Sequence, residues 1–493
     1  MTTPTTGAPP SAEGLTPEHR RAVGVLLVAT FVVILNETIM GVALPHLMTD
    51  LSIAASTAQW LTTAFMLTMA VVIPITGFVI QRTTTRATFV AAMTLFSVGT
   101  LVCALAPGFP VLLAGRIVQA TGTAIMLPLL MSTVMTVTPP ASRGRTMGNI
   151  SIVISVAPAL GPTISGVILS TLSWQWMFGL VLPIAATALL VGARLVPNVT
   201  EPRVARVDVG SVVLSAVAFG GLVYGLSGIG AIATGTVPTA TWVALVAGVL
   251  GLAVFVTRQL QLQRSDDALL DLRTFRSPVF RVSVVVMALS MMSMFGVIIL
   301  LPIFAQDVLG LEPLQTGLLL LPGGLAMGLA APFVGRAYDR FGPRVLVAPG
   351  AVVVSGAMWL LTTASATSPA VVLLAAHVLL SLGLALMFTP LFSASLGSLP
   401  PHLYSHGSAV VGTVQQVAGA AGTAIFITVM TAQSLALTRT GAEPIAALSG
   451  GIHTAFLVGA AISLVAIPAA LGIRTPASTP HGAAEPEPAA VHG

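Results

Sequence analysis

The stretch that decides the fold lies near the N-terminus, where residues 23–44 read VGVLLVATFVVILNETIMGVAL. A helix of about 20 mostly apolar residues is long enough to cross the hydrocarbon core of a membrane. One carboxylate, Glu37, interrupts the apolar run. An acid at that depth costs free energy and usually marks an ion, proton or substrate pathway, although a polar residue at a protein interface is the alternative. The stretch predicts a membrane-spanning helix with a functional acid.

The composition of the whole chain matches this stretch. Of 493 residues, 55% are hydrophobic and 7% are charged, and the mean hydropathy is +0.99. Soluble domains carry about 25% charged residues. Outer-membrane barrels show apolar alternation over ~10-residue segments, which is not visible here, whereas helices satisfy their own backbone polar groups in lipid. We therefore predict an all-α integral membrane protein.

The apolar segments predict about fourteen membrane spans, each near the ~20 residues that a bilayer requires. Their predicted limits are 23–44, 59–80, 88–106, 110–133, 148–170, 175–196, 209–229, 240–257, 281–305, 315–335, 345–364, 370–393, 409–432 and 452–472.

The positive charges indicate how the chain is oriented. All 20 basic residues are Arg, and 18 of them fall on one side of the predicted topology. Arg439 alone falls on the other side, and Arg116 lies inside the fourth span. Because basic loops face the cytoplasm, the Arg-rich side is predicted to be cytoplasmic, with both termini there. This distribution, rather than nucleic-acid binding, explains the net charge of +5. With no cleavable signal peptide apparent, it predicts a multi-pass protein of the plasma (cell inner) membrane.

The remaining polar features predict little chemistry. The single cysteine, Cys103, lies in an apolar segment, so neither an intrachain disulfide nor a cysteine metal cluster is expected. No metal or other cofactor is expected. Residues 258–281, which include Asp266, Asp267 and Asp271, are interpreted as a solvated connector. The tail from Thr475 is rich in Pro, Ala and Glu and is predicted to be disordered.

An internal repeat divides the chain. Residues 77–86 (GFVIQRTTTR) and 335–344 (GRAYDRFGPR) begin with Gly and place Arg at the sixth and tenth positions. At nearly the same spacing, residues 112–116 (LLAGR) match 373–377 (LLAAH). Two six-helix halves with the same orientation are implied, with two extra helices between them, and such halves hold the substrate between them in one class of transporter. The predicted divisions are an N-terminal tail (1–22), an N-terminal half (23–196), two extra helices with a linker (197–280), a C-terminal half (281–472) and a C-terminal tail (473–493).

These features resemble the major facilitator superfamily, and specifically its fourteen-segment drug:proton antiporters. Residues 35–45 (LNETIMGVALP) are similar to that family's first-helix signature, which often has Asp where this chain has Asn36. Residues 116–122 (RIVQATG) are similar to its Arg-x-x-Gln-Gly-type motif, in which the Arg is linked to proton transfer. The resemblance implies the major facilitator fold and transport by alternating access.

The fifth span resembles the family's antiporter motif, which is associated with exporters. Residues 157–166 read APALGPTISG. The expected motif residues are Pro158, Gly161, Pro162 and Gly166. Because Pro removes a backbone donor and Gly loosens a helix, we expect a kink at residues 161–162. We also expect Gly166 to pack closely against the tenth span, which contains Gly323, Gly324 and Gly328. A purely structural packing helix is the alternative.

The second half also resembles the family's cytoplasmic loop signature. The matching residues, named here the loop latch, are Gly335, Asp339, Arg340, Gly342 and Arg344. We expect Asp339 to lie just before the eleventh helix and to favour its N-terminus, with the Arg residues pairing nearby. The latch is expected to hold the outward-facing state. In the first half Gln81 replaces the Asp, so the equivalent contact is expected to be weaker.

Three residues are candidates for proton coupling. Glu37 and Arg116 each lie about 10 Å from the outer ends of their helices, so we expect them at similar depth. Our hypothesis is that Glu37 is the principal proton-coupling acid and that Arg116 tunes it, since an opposite charge and desolvation act on an acid in opposite senses. A structural tie is the alternative for Arg116. His377, its repeat mate, is a candidate for assisting proton transfer or for a structural role.

The substrate is expected in a cavity between the halves. Met, aromatic and amide side chains make an adaptable surface. The candidate lining residues are Asn36, Met40, Gln59, Trp60, Thr63, Met126, Met387, Phe388, Gln415 and Gln416.

Together these features predict a proton-coupled antiporter that exports amphipathic small molecules such as drugs and antibiotics. The alternative is a dedicated exporter of one endogenous metabolite, antibiotic or lipid-like compound. An enzyme is disfavoured because no nucleophile–base pair, metal cluster or P-loop is visible. The expected partners are the small-molecule substrate, protons and the lipid bilayer, without nucleic acid, and a monomer is expected.

Overall fold

A computed structural model describes residues 16–53, 55–199, 202, 208–229 and 237–473. Within these ranges, fourteen helices are long and apolar enough to cross a membrane, and there is no strand. The predicted all-α fold with fourteen spans is confirmed. Residues 1–15 and 474–493 of the two predicted tails lie outside the described ranges, whereas residues 17–22 of the predicted N-terminal tail belong to the first helix.

The first six spans are formed by helices α1 to α8, of which α2 and α7 are single turns. Their bounds are α1 Pro17–Asp50, α2 Ala55–Ala58, α3 Trp60–Arg82, α4 Thr85–Ala104, α5 Phe109–Val137, α6 Arg143–Thr171, α7 Trp176–Gly179 and α8 Val181–Leu195. The short α7 and the longer α8 together make the sixth span.

The remaining eight spans follow in order. The two extra spans are α9 Val209–Ser215 continued by α10 Gly221–Ile229, and α11 Thr239–Leu262. The C-terminal six are α12 Pro278–Ile303, α13 Pro313–Phe341, α14 Arg344–Thr362, α15 Ala370–Gly397, α16 Tyr404–Arg439 and α17 Pro444–Leu471. A π-helical turn joins α9 to α10, and a second one extends α12.

Local sequence sets several helix ends. The Thr16 side chain caps the start of α1 by accepting a hydrogen bond from the His19 N–H, and Thr84 caps α4 in the same way. At the end of α13, Gly342 has φ +77°, a backbone conformation that favours glycine. These caps satisfy helix-end groups near the Arg-rich side of the membrane.

The two halves meet along two seams. One is formed by α6 and α13, and the other by α3 and α16. The first extra span packs against α3 and α16, where the Trp60 ring lies 6.0 Å from the Tyr224 ring of α10, and α11 packs against that span. The two extra spans therefore cover one seam and leave the α6–α13 seam uncovered by them.

The linker between α11 and α12 is packed against the protein, so the prediction of a solvated connector is wrong for its second half. Leu269, Leu270 and Asp271 are buried. The backbone N–H of Asp271 donates to His406 Nδ1 of α16 at 3.4 Å. The apolar pair explains the difference, because burying two leucines outweighs the hydration of their charged neighbours. The linker thus contacts the Arg-rich end of the α3–α16 seam.

Candidate functional site

Asn36 and Glu37 occupy different environments on α1. Asn36 is 2% exposed, and its Oδ1 accepts a hydrogen bond from Arg116 at 3.3 Å. Glu37 is partly exposed. Among the described residues, no ion pair within 4.0 Å involves Glu37, although the charge of Arg116 lies within electrostatic range. Of these two neighbours, Asn36 therefore contacts Arg116 directly, whereas no cation of the described residues contacts the Glu37 carboxylate.

Arg116 is held by a buried polar network within the N-terminal half. Its guanidinium donates to Gln119 Oε1 at 2.7 Å, and Gln119 Nε2 donates to the Thr100 hydroxyl at 2.8 Å. The Phe65 ring centroid lies 4.0 Å from the guanidinium carbon, a cation–π contact. The three-residue spacing within the motif placed Gln119 on the face of Arg116, but nothing in the sequence singled out Phe65 or Thr100.

The antiporter motif approaches this network through one glycine. A side chain at Gly161 would collide with Thr38 on α1, next to Glu37. Glycine at this position therefore allows α6 to pack directly against the helix of the acid. The α6 helix runs unbroken through residues 161 and 162, and Pro158 is partly buried in it. The side chain of Pro162 lies outside what is described, and the expected kink stays a prediction.

The expectation for Gly166 is wrong. Gly166 is exposed, and a side chain there would meet nothing within 4 Å. The fifth and tenth spans do pack together, as α6 and α13, but the close backbone contacts are made near the Arg-rich end. There a Cβ on Gly335 would collide with the backbone of Gly144. The small-residue pattern identified the correct partner helices but the wrong contact point.

The loop latch closes this end of the α6–α13 seam. The Asp339 carboxylate accepts hydrogen bonds from the N–H groups of Gly144 at 2.7 Å and Arg145 at 2.8 Å. Asp339 therefore binds the start of α6, and the prediction that it favours the eleventh helix is wrong. The reason is that α13 continues to Phe341, so Asp339 lies on its last turn. A carboxylate at a helix N-terminus is stabilised by the exposed N–H groups.

The arginines of the loop latch lie outside this contact. Arg340 stacks on Phe341, with 5.1 Å between its guanidinium carbon and the ring centroid. Arg344 is exposed at the start of α14. In the described part of the chain, neither forms an ion pair with Asp339.

On the α3–α16 seam, the residue that corresponds to Asp339 donates a hydrogen bond instead of accepting one. Gln81, the repeat mate of Asp339, donates from Nε2 to the His402 backbone oxygen at 2.6 Å. A nearby bond joins the Arg143 guanidinium to the Tyr404 hydroxyl at 3.0 Å. The contact made by Gln81 is a neutral hydrogen bond, which agrees with the expected weaker latch of the first half.

A small cavity lies between the halves on the Arg-rich side of their centre. Its volume is about 50 Å³. Ligand pockets for drug-sized molecules usually have about 300–1,000 Å³, so the halves are closed together at this level. Gln415 and Gln416, two of the candidate substrate-cavity residues, line it. Sequence reasoning missed other lining residues, which include Met69, Ile73, Met131, Phe392 and Ser408.

The other predicted cavity residues are distributed more widely. Met40, Met126 and Phe388 are buried in the helix bundle, and Thr63 is partly buried. Met387 packs inside the C-terminal half against Gly350. Gln59 and Trp60 are exposed at the start of α3. For Trp60 the prediction of a cavity position is wrong, because its ring packs on the extra helix α10.

His377 does not join the Glu37 network. Its ring packs tightly on Gly323 of α13, where a Cβ would collide with both Cδ2 and Nε2 of the imidazole. These contacts belong to the C-terminal half, and they favour the structural alternative that was open for this residue.

Comparisons with known proteins agree with this arrangement. The Major Facilitator Superfamily profile matches residues 26–423. The "Uncharacterized MFS-type transporter YcnB" of Bacillus subtilis is 40% identical over 446 residues, 90% of this chain and 92% of that protein. The "Lincomycin resistance protein LmrB" of Listeria monocytogenes is 38% identical over 453 residues, 91% of this chain and 95% of that protein.

Solved structures show the same fold. The human organic anion transporter MFSD10 superposes with a TM-score of 0.66 at 17% identity, over 92% of this chain and all of that one. The proton:xylose symporter XylE superposes with a TM-score of 0.61 at 15% identity, over 91% of this chain and 94% of that one.

Fourteen membrane-crossing helices in the described residues, arranged in the fold of known membrane transporters, define a multi-pass membrane transporter. The chain belongs to the major facilitator superfamily. Its similarity to proteins named for lincomycin and multidrug resistance confirms the resemblance to the drug efflux transporters of that superfamily.

Proposed function

We propose that this protein is a proton-coupled antiporter that exports amphipathic small molecules across the plasma membrane. The observation that carries the proposal is Glu37, an acid inside a membrane helix that no cation contacts within 4.0 Å among the described residues. A carboxylate at this depth in a membrane can bind and release a proton when its access to water changes from one side to the other.

The neighbouring amide explains how Arg116 contributes. Because Asn36 is neutral, it holds the guanidinium without competing for a proton. Glu37 then senses the positive charge at longer range and stays free to exchange protons. We therefore assign proton binding to Glu37 and the positioning of Arg116 to Asn36 and Gln119.

The loop latch indicates which side of the transporter is closed. Hydrogen bonds join the two halves on the Arg-rich side. They are made by Asp339, Gln81 and Arg143. If the Arg-rich side is cytoplasmic, as its charge indicates, the transporter is closed toward the cytoplasm in this structure. Opening this side would admit the substrate, and closing it would follow substrate binding.

The substrate class follows from the lining and from the relatives. Methionine, phenylalanine and two glutamines offer an apolar surface with a few adaptable hydrogen-bonding groups. Relatives named for lincomycin and multidrug resistance make lincomycin the first compound to test. A panel of unrelated amphipathic drugs then separates a broad exporter from one dedicated to a single compound.

Inverted membrane vesicles provide the test of coupling. Respiration acidifies their interior, and an antiporter that carries lincomycin inward must release protons outward, which a pH-sensitive dye reports. We expect lincomycin to trigger this release in wild-type vesicles and not in those with Glu37→Gln. The exposed acid Asp307, in the π-helical turn that extends α12, supplies the matched control, Asp307→Asn, which should behave as wild type.

Vesicles without the protein correct for passive entry of the drug. The proposal fails if Glu37→Gln retains drug-triggered proton release. It also fails if wild-type vesicles accumulate lincomycin without moving protons.

A further inference from the structure

A groove on the surface of the helix bundle runs between α1 and α8. Its volume is about 690 Å³. Its lining includes Arg21, Gly24 and Val28 on α1 and Pro183, Thr187 and Leu195 on α8. Gly24 keeps the groove open, because a side chain on this residue would extend into space with no atom within 4 Å.

The length of the groove matches one leaflet of a membrane. On α8 the lining extends from Pro183 to Leu195, which is about 18 Å at 1.5 Å per residue. Half of a typical hydrocarbon core is about 15 Å. Since Leu195 and Arg21 lie on the Arg-rich side, the groove covers the hydrocarbon depth of the leaflet on that side.

Charge differs between the two ends of the groove. Apart from Arg21 and Thr187, all lining residues are apolar, and the Thr187 hydroxyl already donates to the Pro183 backbone oxygen at 2.7 Å. Arg21 is exposed at the mouth, and Arg194 is the neighbour of Leu195 in sequence. Glu18 is the one acid in the first turn of α1. The mouth therefore combines a net positive charge with an apolar channel below it.

We propose that this groove binds one anionic phospholipid of the leaflet on the Arg-rich side. One acyl chain lies between α1 and α8, and the phosphate accepts hydrogen bonds from the Arg21 guanidinium. Guanidinium groups bind phosphate through paired charge-assisted hydrogen bonds, and basic pockets between membrane helices select anionic headgroups. This lipid site lies on the lipid-facing surface of the helix bundle and is independent of the transport function.

Native mass spectrometry of the purified full-length protein tests the site. The probes are phosphatidylglycerol and phosphatidylcholine with identical acyl chains, supplied in equal amounts. We expect the wild-type protein to retain phosphatidylglycerol preferentially and Arg21→Ser to lower its retention about fivefold. Gly24→Leu should fill the groove and lower the retention of both lipids.

Arg20→Ser is the matched control. Arg20 is exposed on the same turn of α1 but does not line the groove, so its loss should leave lipid retention near the wild-type value. Equal losses from Arg20→Ser and Arg21→Ser would show general attraction to the membrane surface and overturn the proposal. Equal retention of both lipids by the wild-type protein, or a second copy of the chain displacing the lipid, would also overturn it.

Discussion

At the residue scale, the orientation of Arg116 depends on a side chain that contributes no charge. The Thr100 hydroxyl accepts the hydrogen bond from Gln119, whose oxygen in turn accepts one from Arg116. Thr100→Val keeps the shape of the side chain and leaves a buried amide donor unpaired. We expect a loss of about 1–3 kcal/mol of stability, seen as a lower Tm of the detergent-solubilised protein, together with slower lincomycin transport.

Thr30→Val provides the control for this change. Thr30 is as deeply buried as Thr100, but its hydroxyl has no hydrogen-bond partner among the described residues. Removing it should leave the Tm unchanged or raise it slightly, since no hydrogen bond is lost. If both variants lost the same stability, the Thr100–Gln119 bond would contribute nothing specific.

The sequence alone predicted the depth of the charged residues but not which side chains contact one another. Depth along each helix predicted that Glu37 and Arg116 approach one another, because helical rise fixes depth from residue number alone. Which of two adjacent residues contacts Arg116 depends on helix rotation, and this is set by packing such as Gly161 against Thr38. Neighbouring residues point about 100° apart, so the rotation of α1 about its own axis decides whether Asn36 or Glu37 faces Arg116.

At the element scale, the loop latch joins the last turn of α13 to the first turn of α6. Asp339→Asn removes the negative charge from the α6 N-terminus, an interaction worth about 0.3–1 kcal/mol. We expect the Arg-rich side to open more often. A cysteine at the cavity position Ser408, in a Cys103→Ser background, should then react with a membrane-impermeant thiol reagent in inside-out vesicles roughly two to five times faster.

Arg340→Gln is the comparison for the latch. Arg340 follows Asp339 directly but stacks on Phe341 without contacting α6 in the described structure. Its loss should leave the labelling rate at the wild-type value. An unchanged rate in Asp339→Asn would show that the carboxylate does not hold this side closed.

The two extra helices are joined by an ion pair at the start of α9. Asp208 accepts hydrogen bonds from Arg258 at 2.6 and 2.7 Å and from the Ser211 N–H at 3.0 Å. The hydrogen bonds from Arg258, assisted by those from Ser211, hold the pKa of Asp208 well below its ordinary value of 3.8. A lowered folded-state pKa contributes stability above the unfolded pKa, and this contribution is lost as the pH falls toward the folded value.

Asp208→Asn should therefore lower the Tm at pH 7, and the difference from wild type should shrink at pH 3. Intrinsic tryptophan fluorescence of the detergent-solubilised protein measures both transitions. Asp307→Asn, at an exposed acid without an ion pair among the described residues, should show no such pH-dependent difference. A gap for Asp208→Asn that stays constant down to pH 3 would contradict the assignment.

Hydropathy located every membrane helix but not every helix end. The apolar runs stop where lipid stops, whereas α13 continues through a charged turn to Phe341 and α16 extends to Arg439. This extra turn places Asp339 against α6 instead of α14, which explains why its partner was predicted wrongly. The burial of the linker was missed for a similar reason, since a leucine pair among charges carries little periodic signal.

At the scale of the whole molecule, the internal repeat predicted two halves but not how closely they meet. Pseudo-equivalent positions have diverged, so Arg116 enters a polar network while His377 packs on α13. The two seams differ as well, because the extra helices cover only the seam formed by α3 and α16. The repeat therefore predicts the arrangement of the helices, whereas the side chains at equivalent positions determine which half contains the polar network.

At this scale, the proposed transport cycle requires the two halves to separate on the Arg-rich side. Ser151 on α6 and Thr389 on α15 lie across this interface, with their hydroxyls 2.7 Å apart. Cysteines at both positions, in a Cys103→Ser background, are close enough for a disulfide. We expect oxidation of Ser151→Cys/Thr389→Cys to abolish lincomycin transport and a reductant to restore it, because the crosslink prevents the halves from separating.

The matched control pair lies within the C-terminal half, where the Ser355 and Ser463 hydroxyls are 3.0 Å apart. Crosslinking Ser355→Cys/Ser463→Cys should leave transport intact, since α14 and α17 move together. Transport that survives the first crosslink, or that is lost equally with the second, would contradict movement of the halves as rigid units.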